Sequence, residues 1–213
     1  WFELMMTHQE DLAQIMTIEQ GKAIAESRGE VAYGAAFMEW FGEQAKRIDG
    51  DVIPAPSADK RVICIKQPVG VVAAITPWNF PIAIPSWKLI PALVCGNTVV
   101  FKPASATPLS AYRFVKLFEE AGLPPGVLNF VTGSGSEIGE PLIEHHNINL
   151  VSFTGSTDTG ATVAHKCAWN MKQFSLEMGG KNAIIVMDDA DLDLAVEGVV
   201  WGAFGTTGQR CTA

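Results

Sequence analysis

The stretch VVAAITPWNFP, residues 71–81, sets the pattern for most of the chain. It starts with a short apolar run of the length expected for a buried strand. Pro77 and Pro81 then fix a turn that presents Trp78 and Asn79, because proline leaves the backbone few alternatives. The sequence therefore predicts a strand that ends in a rigid turn carrying polar side chains.

The same unit of strand and helix recurs after residue 70. Strands are predicted at residues 71–75, 98–101, 127–131, 150–153 and 183–186. Helical patterns lie at about 83–95, 108–121, 136–145, 157–168 and 190–203. This alternation predicts an α/β fold with a Rossmann-like parallel sheet and helices on both faces. Ligands of such sheets bind at the carboxyl ends of the strands, so the residues that follow each strand are the site candidates.

The chain before residue 70 has a different pattern. Apolar residues recur at helical spacing in two segments within the first fifty residues. The turn-rich stretch DGDVIPAPSADK and the strand-like RVICIKQP follow them. They predict a β-hairpin excursion at about residues 50–66.

Composition excludes several classes of function. The formal net charge of −8 argues against binding to nucleic acid or to an anionic membrane surface. No apolar run approaches the roughly 18 residues needed to span a bilayer. The four cysteines are widely spaced and lack a CxxC pair, which indicates neither a zinc site nor a disulfide framework. We therefore expect a cytoplasmic globular protein with a small-molecule partner and no metal site.

Candidate binding residues follow the second, third and fourth predicted strands. Lys102, in KPAS, could reach ribose hydroxyls or a phosphate, although a lysine at a strand end is more often solvated. Gly133 begins a GxGxxxG pattern that is similar to the dinucleotide fingerprint but has one residue more. The alternative there is a glycine-rich turn in which Ser136 caps the next helix. In FTGS, Gly155 permits close approach of a phosphate and Ser156 offers a hydroxyl at a helix start.

Three further side chains carry groups that could take part in catalysis. The Asn79 amide could donate to a developing oxyanion, or it could simply belong to a rigid turn. Glu177 lies between two apolar residues, where burial would raise its pKa and suit it to general-base work, although such a carboxylate is more often paired or solvated. Cys211 follows the turn GTTGQR beside Arg210, and a cation nearby favours the reactive thiolate. The alternative for Cys211 is an incidental thiol.

In this order and spacing, PWNFP, KPAS, FTGS, LEMGGK and GQRC resemble the NAD(P)-dependent aldehyde dehydrogenase superfamily, over essentially the whole chain. The resemblance implies that Cys211 attacks the aldehyde carbonyl to give a thiohemiacetal. Asn79 and the Cys211 backbone N–H would form the oxyanion hole. Hydride transfer to the nicotinamide would leave a thioester, and Glu177 would activate the water that hydrolyses it.

The resemblance also implies NAD or NADP as the cofactor. Matching positions lie along the cofactor cleft (Trp78, Gly133), at the adenosine ribose (Lys102, Ser105) and at the pyrophosphate (Gly155, Ser156). Many NAD-preferring members carry Glu at the position of Ser105, where it grips the ribose hydroxyls and repels a 2′-phosphate. We therefore expect NADP to be tolerated or preferred.

The two parts of the chain resemble enzymes with different substrates. The first part of the chain looks like succinate-semialdehyde dehydrogenases, but Trp87 and Gly205 stand where those enzymes have carboxylate-binding arginines. The later part looks like α-ketoglutaric semialdehyde dehydrogenases and their broad-specificity relatives. We expect an acidic semialdehyde such as succinate semialdehyde, with broad specificity as the alternative. Arg210 could bind the substrate carboxylate or form a structural ion pair.

The resemblance implies that the chain is an N-terminal fragment. Residues 1–176 would form the dinucleotide-binding domain, with an oligomerisation hairpin at about 50–66, and residues 177–213 would begin a truncated catalytic domain. The full-length protein is expected to be a homodimer or homotetramer. The fragment by itself is expected to bind nucleotide without turnover.

Overall fold

The computed structural model describes residues 1–212. The chain begins with three helices, α1 (Phe2–Thr7), α2 (Gln9–Gln20) and α3 (Ile24–Gln44), and a 3₁₀ turn at Ala45–Arg47. An antiparallel hairpin follows, in which β1 (Asp51–Ile53) pairs with β2 (Val62–Cys64). The predicted helical start and the hairpin excursion are both confirmed.

Strands and helices alternate from residue 71 onward. The strands are β3 (Val71–Ile75), β4 (Thr98–Lys102), β5 (Leu128–Phe130), β6 (Leu150–Gly155) and β7 (Gln173–Met178). The helices are α4 (Ala83–Val94), α5 (Pro108–Glu120), α6 (Glu140–Glu144), α7 (Thr157–Trp169) and α8 (Leu192–Phe204). A π-helical turn at Gly135–Gly139 precedes α6, and a 3₁₀ turn at Gly205–Gly208 follows α8.

The five strands β3 to β7 form one parallel sheet in the order β5-β4-β3-β6-β7. The chain builds outward from β3 through β4 to β5, then crosses to the other side of β3 for β6 and β7. Ile75, at the end of β3, lies opposite Lys102 of β4 and Phe153 of β6. The carboxyl ends of these three strands therefore lie at the same level. The order in which the chain adds strands reverses between β3 and β6, which makes this the topological switch point. That switch point is where open α/β sheets bind ligands.

Helices cover both faces of the sheet, as predicted. Alternate side chains of β3 point to opposite faces. Val72 and Ala74 lie in a core built with α1 to α5, whereas Ala73 and Ile75 lie in a second core built with α6 and α7. The sheet thus has apolar packing on both faces.

The predicted strand at residues 183–186 is wrong. These residues have no regular structure, and Ile184 and Ile185 are exposed. A strand requires a hydrogen-bonded neighbour, and nothing in residues 1–212 pairs with this segment. The fifth strand is instead β7, which pairs with β6 from Leu150↔Gln173 to Gly155↔Met178. The predicted domain boundary after residue 176 falls inside this strand.

The predicted cap at Ser136 is also displaced. Ser134 is the N-cap residue, and its hydroxyl accepts a hydrogen bond from the Glu137 N–H. A cap must precede the first turn so that its side chain can accept from an amide two or three residues later. Ser136 already lies inside the turn.

Across residues 1–212, no helix is both long enough and apolar enough to cross a bilayer. Over the same residues, no group of three or more His, Cys, Asp or Glu side chains could hold a metal ion.

Substitution of one buried and one exposed leucine tests which residues form the hydrophobic core. Leu89 on α4 is fully buried, whereas Leu109 on α5 is exposed. We expect Leu89→Ala to lower the free energy of unfolding by about 2–5 kcal/mol, through lost burial and a residual cavity. The matched control Leu109→Ala should change it by less than about 0.5 kcal/mol. Urea denaturation followed by circular dichroism measures both, and equal losses would contradict the assigned core.

Candidate active site

The turn after β3 joins the loop that carries Cys211. Asn79 Nδ2 donates a hydrogen bond to the Gln209 carbonyl at 2.9 Å, and Asn79 Oδ1 accepts from the Phe80 N–H at 3.2 Å. Trp78, the preceding residue, is half-buried. An amide donor and a cysteine two residues beyond the bonded carbonyl are thereby held together, although they are far apart in the sequence.

A buried ion pair supports this turn from behind. Lys22, between α2 and α3, pairs with Glu30 of α3, and its Nζ also donates to the Asn79 carbonyl at 2.8 Å. Glu30 Oε1 accepts from the Ile82 and Ala83 N–H groups, at 2.9 and 3.1 Å, where α4 begins. Burial raises the pKa of Glu30, and the Lys22 ammonium acts in the opposite direction. One ion pair therefore fixes both ends of the turn.

The loop before Cys211 has an unusual backbone. Thr206 and Thr207 have φ values of 55° and 54°, a left-handed conformation that costs a β-branched residue energy. Cys211 is exposed, and its carbonyl accepts from Asn182 Nδ2 at 2.8 Å. Arg210 Cζ lies 4.8 Å from the centre of the Trp201 ring. No carboxylate of residues 1–212 pairs with Arg210, so the predicted alternative of a structural ion pair finds no support in them.

Glu177 lies near the end of β7 in polar surroundings, as the alternative of a paired or solvated carboxylate describes, and not in an apolar site. Its side chain is 47% exposed. Oε2 accepts hydrogen bonds from Trp87 Nε1 at 3.0 Å and from Thr154 Oγ1 at 2.9 Å, and it lies 3.7 Å from Lys88 Nζ. As a strand residue at the sheet edge, Glu177 takes its neighbours from α4 and β6, which the flanking Leu176 and Met178 do not reveal.

Lys88 is a functional candidate that sequence analysis missed. Its side chain is only 2% exposed, and Nζ donates to Ser152 Oγ at 3.1 Å. Burial lowers the pKa of Lys88, and the Glu177 carboxylate partly opposes that shift. Lys88, Trp87 and Glu177 line a cavity of about 570 Å³. The signal in the sequence is that Lys88 is the single charged residue of the largely apolar helix α4.

The loops after β4 and β5 contact each other on the β3 side of the switch point between β3 and β6. Ser105 Oγ donates to the Gly133 carbonyl at 3.0 Å, which links the two loops. Lys102 is buried rather than solvated, and its Nζ donates to the Pro103 carbonyl at 3.3 Å. Burial lowers the pKa of Lys102. These residues form one wall of the candidate binding cleft.

The start of α7 forms the opposite wall. Ser156 caps this helix, because its Oγ accepts from the Thr159 N–H at 3.3 Å and donates to Thr159 Oγ1 at 2.8 Å. A Cβ on Gly155 would lie 2.5 Å from Phe153 Cζ, so a larger residue there would require the Phe153 ring to shift. Thr159 and Lys102 line a common cavity of about 360 Å³. A buried cation and a helix N-terminus thus face the same space.

The predicted residues therefore fall into three groups. Asn79 and the Cys211 loop are hydrogen-bonded to each other. Lys102, Ser105, Gly133, Gly155 and Ser156 surround the ends of β4, β5 and β6. Glu177 stands apart on β7, and no hydrogen bond within residues 1–212 joins it to Asn79 or Cys211. Lys22 and Glu30 were not predicted, because only the tertiary fold brings them to residues 79–83.

Comparison with known proteins agrees with this geometry. The model of the aldehyde dehydrogenase family matches residues 1–213. Glutarate-semialdehyde dehydrogenase of Pseudomonas aeruginosa is 54% identical over 211 residues, which are 99% of this chain and 44% of that protein. The NADP(+) succinate-semialdehyde dehydrogenase GabD of Escherichia coli (strain K12) gives the same identity and coverage. Alpha-ketoglutaric semialdehyde dehydrogenase of Bacillus subtilis is 47% identical, over 99% of this chain and 43% of that protein.

A crystal structure described as an E. coli NADP dependent enzyme has a TM-score of 0.95 at 54% identity. The match covers 99% of this chain and 44% of that one. The chain thus spans less than half the length of the proteins it matches, while nearly all of it is matched. The resemblance predicted from the motifs is confirmed: the chain belongs to the aldehyde dehydrogenase family.

Proposed function

We propose that the whole protein oxidises an aldehyde to the carboxylic acid with NAD or NADP, through a covalent adduct on Cys211. The observation that carries this proposal is the 2.9 Å hydrogen bond from Asn79 Nδ2 to the Gln209 carbonyl. It holds an amide donor beside the loop of the thiol nucleophile. The semialdehyde dehydrogenases that match this chain support the reaction class.

The residues at the switch point fit a dinucleotide. Gly155 has no side chain, which would permit close approach of a phosphate to the backbone, and the N-terminal end of α7 favours a negative charge. Lys102 and Ser105 would hold the adenosine ribose, with Gly133 and Trp78 along the cleft. When bound, the nicotinamide supplies the hydride acceptor for the oxidation. The E. coli relative is named for NADP(+), which agrees with this assignment.

Asn79 and Cys211 would carry out the addition step. The Cys211 thiolate attacks the carbonyl carbon, and negative charge develops on the carbonyl oxygen. The Asn79 amide has two N–H groups, and the bond to Gln209 uses one of them. The second can donate to the oxyanion together with the Cys211 backbone N–H, which stabilises the thiohemiacetal.

Glu177 would activate water after oxidation. Loss of hydride leaves a thioester on Cys211, and the carboxylate accepts a proton from the water that attacks it. Trp87 and Thr154 orient the carboxylate, and the Lys88 ammonium lies 3.7 Å away. These three side chains hold Glu177 on the α4 side of the sheet.

Rapid-mixing kinetics test these three roles. We expect Cys211→Ala to abolish cofactor reduction and Asn79→Ala to lower kcat by about 10²–10³-fold. Glu177→Gln should retain the first turnover, seen as a burst of reduced cofactor, but lower the steady-state rate by about 10²–10⁴-fold. Glu39→Gln, which changes an exposed glutamate of α3, is the matched control. A full steady-state rate in Cys211→Ala or Glu177→Gln would contradict the mechanism.

The second candidate applies to the 213-residue chain by itself. We propose that it binds nucleotide without turnover, because it contains the switch-point cleft but less than half the length of its relatives. Calorimetric titration with NAD or NADP and an aldehyde assay distinguish the two candidates on this polypeptide.

Ser105 bears on the choice of cofactor. We expect kcat/KM with NADP to equal or exceed that with NAD, because no carboxylate at position 105 repels a 2′-phosphate. Ser105→Glu should lower kcat/KM with NADP by about tenfold or more through like-charge repulsion. Ser105→Ala, which adds no charge, is the control. A strong preference of the unmodified protein for NAD would refute this expectation.

We propose an acidic semialdehyde as the substrate, with succinate semialdehyde as the leading example. Trp87 and Gly205 occupy the two expected arginine positions, so the carboxylate needs another partner. Arg210 is available, since its buried Nε has no hydrogen-bond partner in residues 1–212.

A substrate panel tests this choice. kcat/KM should be higher for succinate and α-ketoglutarate semialdehydes than for a neutral aldehyde of similar length. Arg210→Ala should raise KM for the acidic substrates alone. Best activity on the neutral aldehyde would overturn the proposal.

The hairpin supports a further part of the proposal, assembly as a homodimer or homotetramer. Four apolar side chains of β1 and β2 are exposed: Val52, Ile53, Val62 and Ile63. An exposed apolar hairpin of this kind is suited to an interface between subunits.

A further inference from the structure

The end of α2, the start of α3 and the connection between them contact both loops of the candidate site. We call residues 20–30 the clasp segment. Lys22 Nζ donates to the Asn79 carbonyl at 2.8 Å. Gln20 Nε2 donates to Thr207 Oγ1 at 3.0 Å, and the Glu26 carboxylate accepts from the Thr206 N–H at 3.3 Å. One short segment thus contacts both the turn after β3 that carries Asn79 and the loop that precedes Cys211.

The contacts to Thr206 and Thr207 act where the backbone is strained. Both residues are β-branched and left-handed, a conformation that persists only where the surroundings enforce it. Thr206 is 3% exposed and is held by Glu26, while Thr207 is held by Gln20. We expect that, without these bonds, the loop leaves this strained conformation and Gln209 and Cys211 move with it.

The contact at Lys22 holds the main-chain carbonyl of Asn79, the residue whose side-chain amide is the proposed oxyanion donor. Lys22 is fixed by Glu30 and by the Phe80 ring, whose centre lies 4.4 Å from Nζ. Because its ammonium holds the Asn79 carbonyl, the peptide plane and the side chain that leaves it have little freedom. None of these bonds belongs to the sheet, and they end on the two loops of the site.

We propose that Lys22, Gln20 and Glu26 are positioning residues that align the Asn79 amide with Cys211 for the addition step. The inference rests on the proposed roles of Asn79 and Cys211. It assigns a catalytic purpose to helices that lie outside the parallel sheet.

Steady-state kinetics of the whole protein test the proposal. Lys22→Met and Glu26→Ala should each lower kcat by roughly 10- to 100-fold, because a displacement of about 1 Å at a reacting group costs that much. KM for the cofactor should stay unchanged, since the cofactor residues lie on other loops. Arg28→Met is the matched control on α3, the helix of Glu26, where it breaks only the exposed pair with Glu10 and should leave kcat unchanged.

Two double variants separate positioning from general destabilisation. If Lys22 acts through Asn79, then Lys22→Met/Asn79→Ala should have the kcat of Asn79→Ala alone. Asparagine tolerates the left-handed conformation, and Glu26 holds Thr206 through its backbone N–H, so Thr206→Asn should restore part of the kcat lost in Glu26→Ala. Thermal unfolding confirms that each variant is folded. If Lys22→Met does not fold, Glu26→Ala and its rescue carry the test.

The outcomes distinguish this inference from the proposed function. Unchanged kcat in folded Lys22→Met and Glu26→Ala, with activity lost in Asn79→Ala and Cys211→Ala, would overturn the positioning role alone. Losses that multiply in Lys22→Met/Asn79→Ala would also overturn it. Full activity in Asn79→Ala and Cys211→Ala would instead refute the proposed function.

Discussion

The candidate site depends on a buried pair of opposite charges, Lys22 and Glu30. The Glu30 carboxylate accepts the first amides of α4, and the Lys22 ammonium holds the carbonyl of Asn79. Neither charge can stay buried alone, because removing one partner of such a pair costs about 3–5 kcal/mol. The pair therefore ties the N-terminal helices to the turn after β3.

The parallel sheet supplies the other constraint. Its order, β5-β4-β3-β6-β7, brings the ends of β3, β4 and β6 to one edge. The turn with Asn79 leaves from the central strand, between the loops after β4 and β5 on one side and the start of α7 on the other. At this edge the clasp segment contacts both the turn with Asn79 and the loop that precedes Cys211. The sheet positions Glu177 and the proposed binding residues, and the N-terminal helices contact the two loops that carry Asn79 and Cys211.

Local patterns predicted the parts of this fold that are determined locally. Apolar runs located β3 to β6, and the order of five motifs identified the family and made Asn79, Glu177 and Cys211 the proposed catalytic residues. Prediction from the sequence failed where the surroundings of a residue come from parts of the chain that are distant in the sequence. The run at 183–186 looks like a strand but has no partner in residues 1–212, whereas the less apolar QFSLEM of β7 pairs with β6. The polar surroundings of Glu177 come from Trp87, Lys88 and Thr154, on other elements.

A crystal structure of the Lys22→Met variant of the whole protein, compared with the unmodified protein, tests the central claim most directly. The account predicts that the parallel sheet stays unchanged while the turn at Trp78–Asn79 shifts and the bond from Asn79 Nδ2 to the Gln209 carbonyl is lost. An unshifted turn that keeps this bond at 2.9 Å would show that the buried ion pair does not align the site.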